Sequence, residues 1–170
     1  MNIKDIRIKE VFLAGMITVI ISVCLWDFLM PSQKIYEAED AQVVGAPVES
    51  QHSGYTGSGY VDFKRKSGEY VQWTVGVKQG GDYFLCFRYA LGGKNDRPLR
   101  IIVNGEIMEE ALNFPRTGDW SEWGRLVLEV YLEPGENAIR AVTSGNSGPN
   151  IDRLSVEPVK NRIFSFLGKV

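Results

Sequence analysis

Glu37 and Glu39 stand two residues apart in the run Tyr36-Glu37-Ala38-Glu39-Asp40. Alternate residues of a strand share a face, so this spacing sets two carboxylates side by side. Like charges that close repel unless a cation or base lies between them. A calcium ion would serve, because it takes roughly six to eight hard oxygen ligands and mixes carboxylates with backbone carbonyls. The alternative is a pair of solvated acids on an edge strand. A second group is Thr117-Gly118-Asp119-Trp120-Ser121-Glu122-Trp123. Its tryptophans are three apart and face opposite sides of an extended chain, one towards a core and one towards a loop. Trp120, directly after Gly118-Asp119, is the candidate for exposure, and an exposed indole offers a flat apolar surface to the C–H face of a sugar ring. Two ordinary core tryptophans are the alternative. The third group is Gly148-Pro149-Asn150-Ile151-Asp152-Arg153-Leu154. Asn150 and Asp152 point the same way beside a loop. Asn150 there offers sugar hydroxyls both a donor and an acceptor, and Asp152 completes an oxygen cage if the first and last strands are neighbours. Otherwise they are a turn residue and a strand-initiating acid.

These side chains need a frame, and the frame reads as β. Alternating runs rich in β-branched and aromatic residues follow one another: Tyr70 to Val75, Tyr83 to Tyr89, Leu99 to Val103, Leu126 to Leu132 and Ala138 to Val142. Turn signals separate them, among them Gly80-Gly81-Asp82, Pro134-Gly135 and Ser144-Gly145-Asn146-Ser147-Gly148-Pro149. Asn104-Gly105 between Ile101-Ile102-Val103 and Glu106-Ile107-Met108 is a two-residue hairpin signal. About eight to ten short strands with no helix between them predict an all-β fold, an antiparallel sandwich or jelly roll. No internal repeat is present.

Composition narrows the chemistry. Residues 35–158 carry 12 Lys/Arg against 18 Asp/Glu. That balance argues against nucleic acid as a partner, because phosphate binding needs clustered cations. The chain of 170 residues has one histidine, which excludes a multi-His zinc site and argues against histidine-based catalysis. Cys86 lies in a strand run and reads as a small buried hydrophobe. Cys24 lies in an N-terminal apolar run, so no disulfide between them is expected.

That run, residues 11–30, is largely apolar and uncharged except for Asp27, and long enough to cross a bilayer core. Lys4, Arg7 and Lys9 precede it and only Lys34 follows closely. The expected organisation is a cytoplasmic segment over residues 1–10, a transmembrane signal-anchor over 11–30 and a linker over 31–34. An extracytoplasmic domain over 35–158 and a basic tail over 159–170 follow. The alternative is secretion after signal cleavage, although Cys24-Leu25-Trp26-Asp27-Phe28 offers no small-x-small site. The tail lies on anionic lipid or is a frayed terminus.

Between Ile35 and Pro158 the chain resembles the carbohydrate-binding modules of families six and thirty-five. The likeness runs from Tyr36-Glu37-Ala38-Glu39-Asp40-Ala41 through His52-Ser53-Gly54-Tyr55-Thr56-Gly57-Ser58-Gly59-Tyr60-Val61 and Tyr70-Val71-Gln72-Trp73. It continues through Phe87-Arg88-Tyr89-Ala90, Val103-Asn104-Gly105 and the two-tryptophan segment, and closes on Pro149-Asn150-Ile151-Asp152-Arg153-Leu154. The resemblance implies a jelly-roll β-sandwich with a structural calcium held by Glu37, Glu39 and Asp152, joined by backbone carbonyls of residues 53–59. It implies a sugar cleft on loops at one end, where Tyr60 or Tyr55 and Trp120 sandwich the sugar, Asn150 bonds it and Asp119 helps to orient it. Trp73 and Trp123 match core-facing positions.

The expected function is non-catalytic binding of an oligosaccharide or polysaccharide by a membrane-anchored module. Its acidic balance disfavours strongly acidic glycans, although some family-thirty-five modules accept uronic acids through calcium. The alternative is a structural or interaction ectodomain with no sugar ligand, in which Trp120 contacts a membrane-protein partner. A glycosidase reading of Glu37 and Glu39 fails on geometry, because catalytic carboxylates flank the scissile bond from opposite sides.

Overall fold

The computed structural model of the chain describes residues 33–65 and 67–159. The transmembrane expectation for residues 11–30, Cys24 and nearly all of the basic tail lie outside the described residues. Among the described residues no helix is long and apolar enough to cross a membrane.

Eleven strands form in chain order: β1 (Lys34–Glu37), β2 (Gln42–Val44), β3 (Val48–Glu49), β4 (Tyr60–Asp62), β5 (Ser67–Val77) and β6 (Gly81–Ala90). They continue as β7 (Arg97–Val103), β8 (Glu106–Phe114), β9 (Trp123–Leu132), β10 (Gly135–Ser144) and β11 (Asn150–Pro158). One sheet has the order β3-β4-β11-β6-β9, with β1 also paired to β11; the other runs β2-β5-β10-β7-β8. Every pairing is antiparallel. The sandwich follows from the alternation. Val71, Trp73, Val75 and Val77 of β5 turn inward, as do Tyr83, Leu85, Phe87 and Tyr89 of β6, and the two rows meet in one core. Trp73 is 2% exposed and Cys86 is buried on the other side of its strand. The strands that the alternation did not announce are β2, β3 and β4, two or three residues long and too short to show a period.

Register sorts the connections into two ends. The tight turns lie at one end, among them Asn104-Gly105, where φ values of 52° and 88° give the hairpin its left-handed pair. The longer connections gather at the other end, where Ala90 pairs with both Trp123 and Asn150, and Asn150 with Asp62. There the loops over residues 50–59, 91–96, 115–122 and 145–149 come together.

Candidate functional site

These loops enclose a cleft of about 260 Å³ lined by His52, Asp62, Phe63, Lys64, Arg97, Trp120, Ser147 and Asn150. Trp120 is half-buried and packs partly on the core. Its loop is tied to the end of β6, since the Leu91 amide donates to Thr117 Oγ1 at 2.8 Å and the Thr117 amide to the Leu91 carbonyl at 3.1 Å. Gly92 lets the indole come close: a Cβ there would stand 2.6 Å from the Trp120 backbone nitrogen and Cδ1. The Arg97 guanidinium lies over the indole, 5.3 Å from its centroid, and the His52 ring stacks on it at 6.0 Å and 21°.

Asn150 is 2% exposed, yet among the described residues its Oδ1 has no hydrogen-bond donor. Buried acceptors are almost always satisfied, and an unsatisfied one lowers stability. In a cleft it is an acceptor waiting for a donor. Burial pushes the Asp62 carboxyl up, the charge of Glu49 adds to the rise, and Lys64 opposes it. Lys64 bridges Glu49 and Asp62, 3.4 Å from the latter.

The other expected sugar contacts fall elsewhere. Tyr60 is fully buried, and burial holds its hydroxyl above the usual phenol range. It offers no face to a sugar. It lies under the cleft, where its hydroxyl accepts the His52 amide at 3.3 Å. Tyr55 is tilted against Tyr60 at 5.7 Å and does not line the cleft. Asp119 is exposed and spent on its own turn, accepting the Ser121 amide at 2.9 Å. Trp123 is half-buried rather than in the core; its Nε1–H donates to the Ser53 carbonyl at 2.9 Å, and Gly54 packs on its ring.

The acids converge on the same loop from below. β1 ends at Glu37, so Glu39 sits in the turn that follows and not on one strand face with Glu37. Both still reach residues 56–59. The Thr56 hydroxyl lies 2.8 Å from Glu37 Oε2 and 3.0 Å from Asp152 Oδ2. Glu39 Oε1 accepts the amides of Ser58 and Gly59, and a Cβ at Gly57 would collide with it. Asp152 joins these acids and does not line the cleft with Asn150, although both stand on the side of β11 opposite the core residue Ile151; a bulge follows between Ile151 and Arg153. Burial raises the Glu37 carboxyl; the Thr56 hydrogen bond opposes this, and the charges of Asp152 and Glu39 add to it.

The donor chemistry fits a hard cation in two respects. Thr56 has one hydroxyl proton for two acid oxygens, and Glu39 Oε2 is buried with no partner among the described residues. Among the described residues, however, no three acidic side chains close into a metal cage. The Arg88 guanidinium occupies Asp152 and donates to the Gly54 carbonyl at 2.8 Å.

A two-sheet sandwich with an aromatic loop cleft and an acid-lined loop beneath it is the architecture of a carbohydrate-binding module. The family model described as carbohydrate binding module (family 35) matches residues 34–159, and the chain belongs to that family. A solved family 35 module from Clostridium thermocellum superposes with a TM-score of 0.72 at 41% identity, covering 75% of this chain and 99% of that one. A family 35 module solved in complex with a glucuronic acid containing disaccharide gives 0.64 at 29% identity, covering 72% of this chain and 91% of that one. The chain is also 43% identical over 128 residues to an exo-beta-D-glucosaminidase of Amycolatopsis orientalis, covering 74% of this chain and 12% of that enzyme.

Sequence reasoning missed His52, Lys64, Arg97 and Gly92. The sequence signal for the first was its place at the head of the glycine-rich loop, three residues before Tyr55.

Proposed function

We propose that the cleft binds one or two sugar rings of an extracellular glycan, stacked against Trp120 and held by Asn150. The carrying observation is the buried, partnerless Asn150 Oδ1 opening on the cleft beside an indole. The volume, at the small end for ligand pockets, suits so short a ligand. Carbohydrate binding is the property of the family; the choice of sugar rests on charge. Lys64 and Arg97 outnumber Asp62 in the cleft, although the domain as a whole is acidic. Local charge decides at contact distance, because more distant acids are screened. The cleft therefore suits a neutral sugar or a uronic acid and repels an amino sugar, and a relative solved with a glucuronic acid containing disaccharide supports the uronate.

In the same proposal Glu37, Glu39 and Asp152 hold a structural calcium that pins residues 53–59, with Arg88 yielding its place on Asp152. The apolar run over residues 11–30 anchors the module in a membrane with its domain outside the cell.

Calorimetric titration of the full chain with D-glucuronic acid, D-glucose and D-glucosamine, in calcium and in chelator, tests this. Saturable binding of glucuronic acid, weaker binding of glucose and none of glucosamine are expected, with binding lost in Trp120→Ala. A cooperatively folded chain that binds none of the three would instead support a structural or protein-binding ectodomain. A melting temperature unmoved by chelator would remove the calcium.

A further inference from the structure

We infer that His52, the single histidine of the chain, is a positioning residue that holds Trp120 in its binding pose through the plane of its ring. This rests on the cleft being the sugar site. Trp120 has two sets of neighbours. Gly92, Arg97 and the Thr117–Leu91 bonds belong to the connection between β6 and β7, to the start of β7 and to the indole's own loop. The loop over residues 50–59 reaches the indole through His52.

The imidazole links a fixed ring to a half-exposed one. It lies at 28° and 6.1 Å to Tyr60 and at 21° and 6.0 Å to Trp120. Tyr60 cannot move freely, being fully buried and packed against Trp123 at 5.4 Å with the rings tilted by 60°. The loop that carries His52 is itself fastened on its far side, by Ser53 to Trp123 and by the Thr56 amide to Asp152 Oδ1 at 2.7 Å. Among the described residues no hydrogen bond reaches the imidazole nitrogens; the one bond of His52 is made by its backbone amide to Tyr60. The ring plane therefore carries the contact. Without it the indole gains freedom on the loop side, and a ligand must restore the order on binding. An aromatic pair at this separation is worth about two- to tenfold in an equilibrium constant.

The test uses the full chain labelled with 5-fluorotryptophan, the Trp120 fluorine resonance being assigned by Trp120→Phe, together with calorimetry against D-glucuronic acid. In His52→Ala the Trp120 resonance should shift and broaden while that of Trp73 stays in place. Affinity should fall by about two- to tenfold with the melting temperature held. His52→Phe should restore both signals, and His52→Asn should behave like His52→Ala. An unmoved Trp120 resonance in His52→Ala overturns the inference. So does affinity restored by His52→Asn and not by His52→Phe, which would make the imidazole a direct hydrogen-bonding partner of the sugar. If the wild type binds no glucuronic acid, the uronate reading fails, and the Trp120 resonance still decides the role of His52.

Discussion

Thr56 and Asp152 are joined twice across 96 positions of sequence: the Thr56 amide donates to Asp152 Oδ1 at 2.7 Å, and its hydroxyl lies 3.0 Å from Oδ2. The pair ties the long loop before β4 to the bulge of β11. Asp152 is fully buried and also takes the guanidinium of Arg88. Removing it strands a largely buried cation and a loop amide together. Breaking one side of a buried ion pair costs about 3–5 kcal/mol. Arg88 retains some solvent, so Asp152→Ala is expected near the lower figure in urea unfolding. Thr56→Val, which removes only a hydroxyl, should cost about 1 kcal/mol. Equal costs for the two would show that the carboxylate does not carry the junction.

Gly92 makes a different kind of contact, in which space itself is the function. A Cβ there meets backbone as well as side-chain atoms of Trp120, so a rotamer change cannot relieve the clash. Gly92→Ala should displace the Trp120 loop, cost about 1–3 kcal/mol as overpacking does, and weaken sugar binding beyond what the stability loss explains. Unchanged binding with an unchanged melting curve would show that the loop is free to retreat.

Much of this fold was legible because its signals are periodic or local. The inward rows of β5 and β6, the Asn104-Gly105 turn and the burial of Trp73 and Cys86 each depend on neighbours within a few residues. The crowding of Glu37 and Glu39 was legible from their spacing, although the turn after Glu37 changed its geometry. Tyr60 was expected in the cleft from the family resemblance; it stands opposite core-facing Val61, and the rings that cover it, His52, Tyr55 and Trp123, come from loops and a strand that no local pattern brings together. Alternation sets Asn150 and Asp152 on one side of β11, away from core-facing Ile151, but they serve different neighbours: Asn150 lines the cleft and Asp152 is taken by Thr56 and Arg88. His52 lies in the loop before β4 and Arg97 opens β7, 45 residues away in sequence and in the other sheet, and only the packing of the two sheets brings them to one cleft.

Asp62 gives the stability a pH dependence with a definite sign. Burial and the charge of Glu49 raise its carboxyl, so the folded chain keeps this proton at a pH where the unfolded chain has lost it. Stability then falls as pH climbs from the ordinary aspartate range to the raised value, and this contribution is flat above it. Asp62→Asn should remove that slope, as followed by urea midpoints across the acid range. A slope identical in wild type and variant would assign the dependence to another group, with Glu37, also raised, the first candidate.

Asn150 separates binding from stability most sharply. Its backbone is fixed by pairing with Asp62 and Ala90, and its side chain is buried, so a structural asparagine would be expected to satisfy its oxygen within the protein. It does not. Removing a partnerless buried acceptor returns a desolvation cost of about 1–3 kcal/mol, which offsets the packing lost with the side chain. Asn150→Ala should therefore melt within a few degrees of wild type, or slightly higher. Its affinity for glucuronic acid should drop at least about tenfold, the equivalent of roughly 1.4 kcal/mol for one well-made hydrogen bond to a ligand. Asn150→Asp adds a charge that burial penalises, and it should lose stability as well as binding. A large loss of stability in Asn150→Ala with sugar affinity intact would mean that the oxygen finds its partner within the folded protein, and the sugar would have to be sought on another surface.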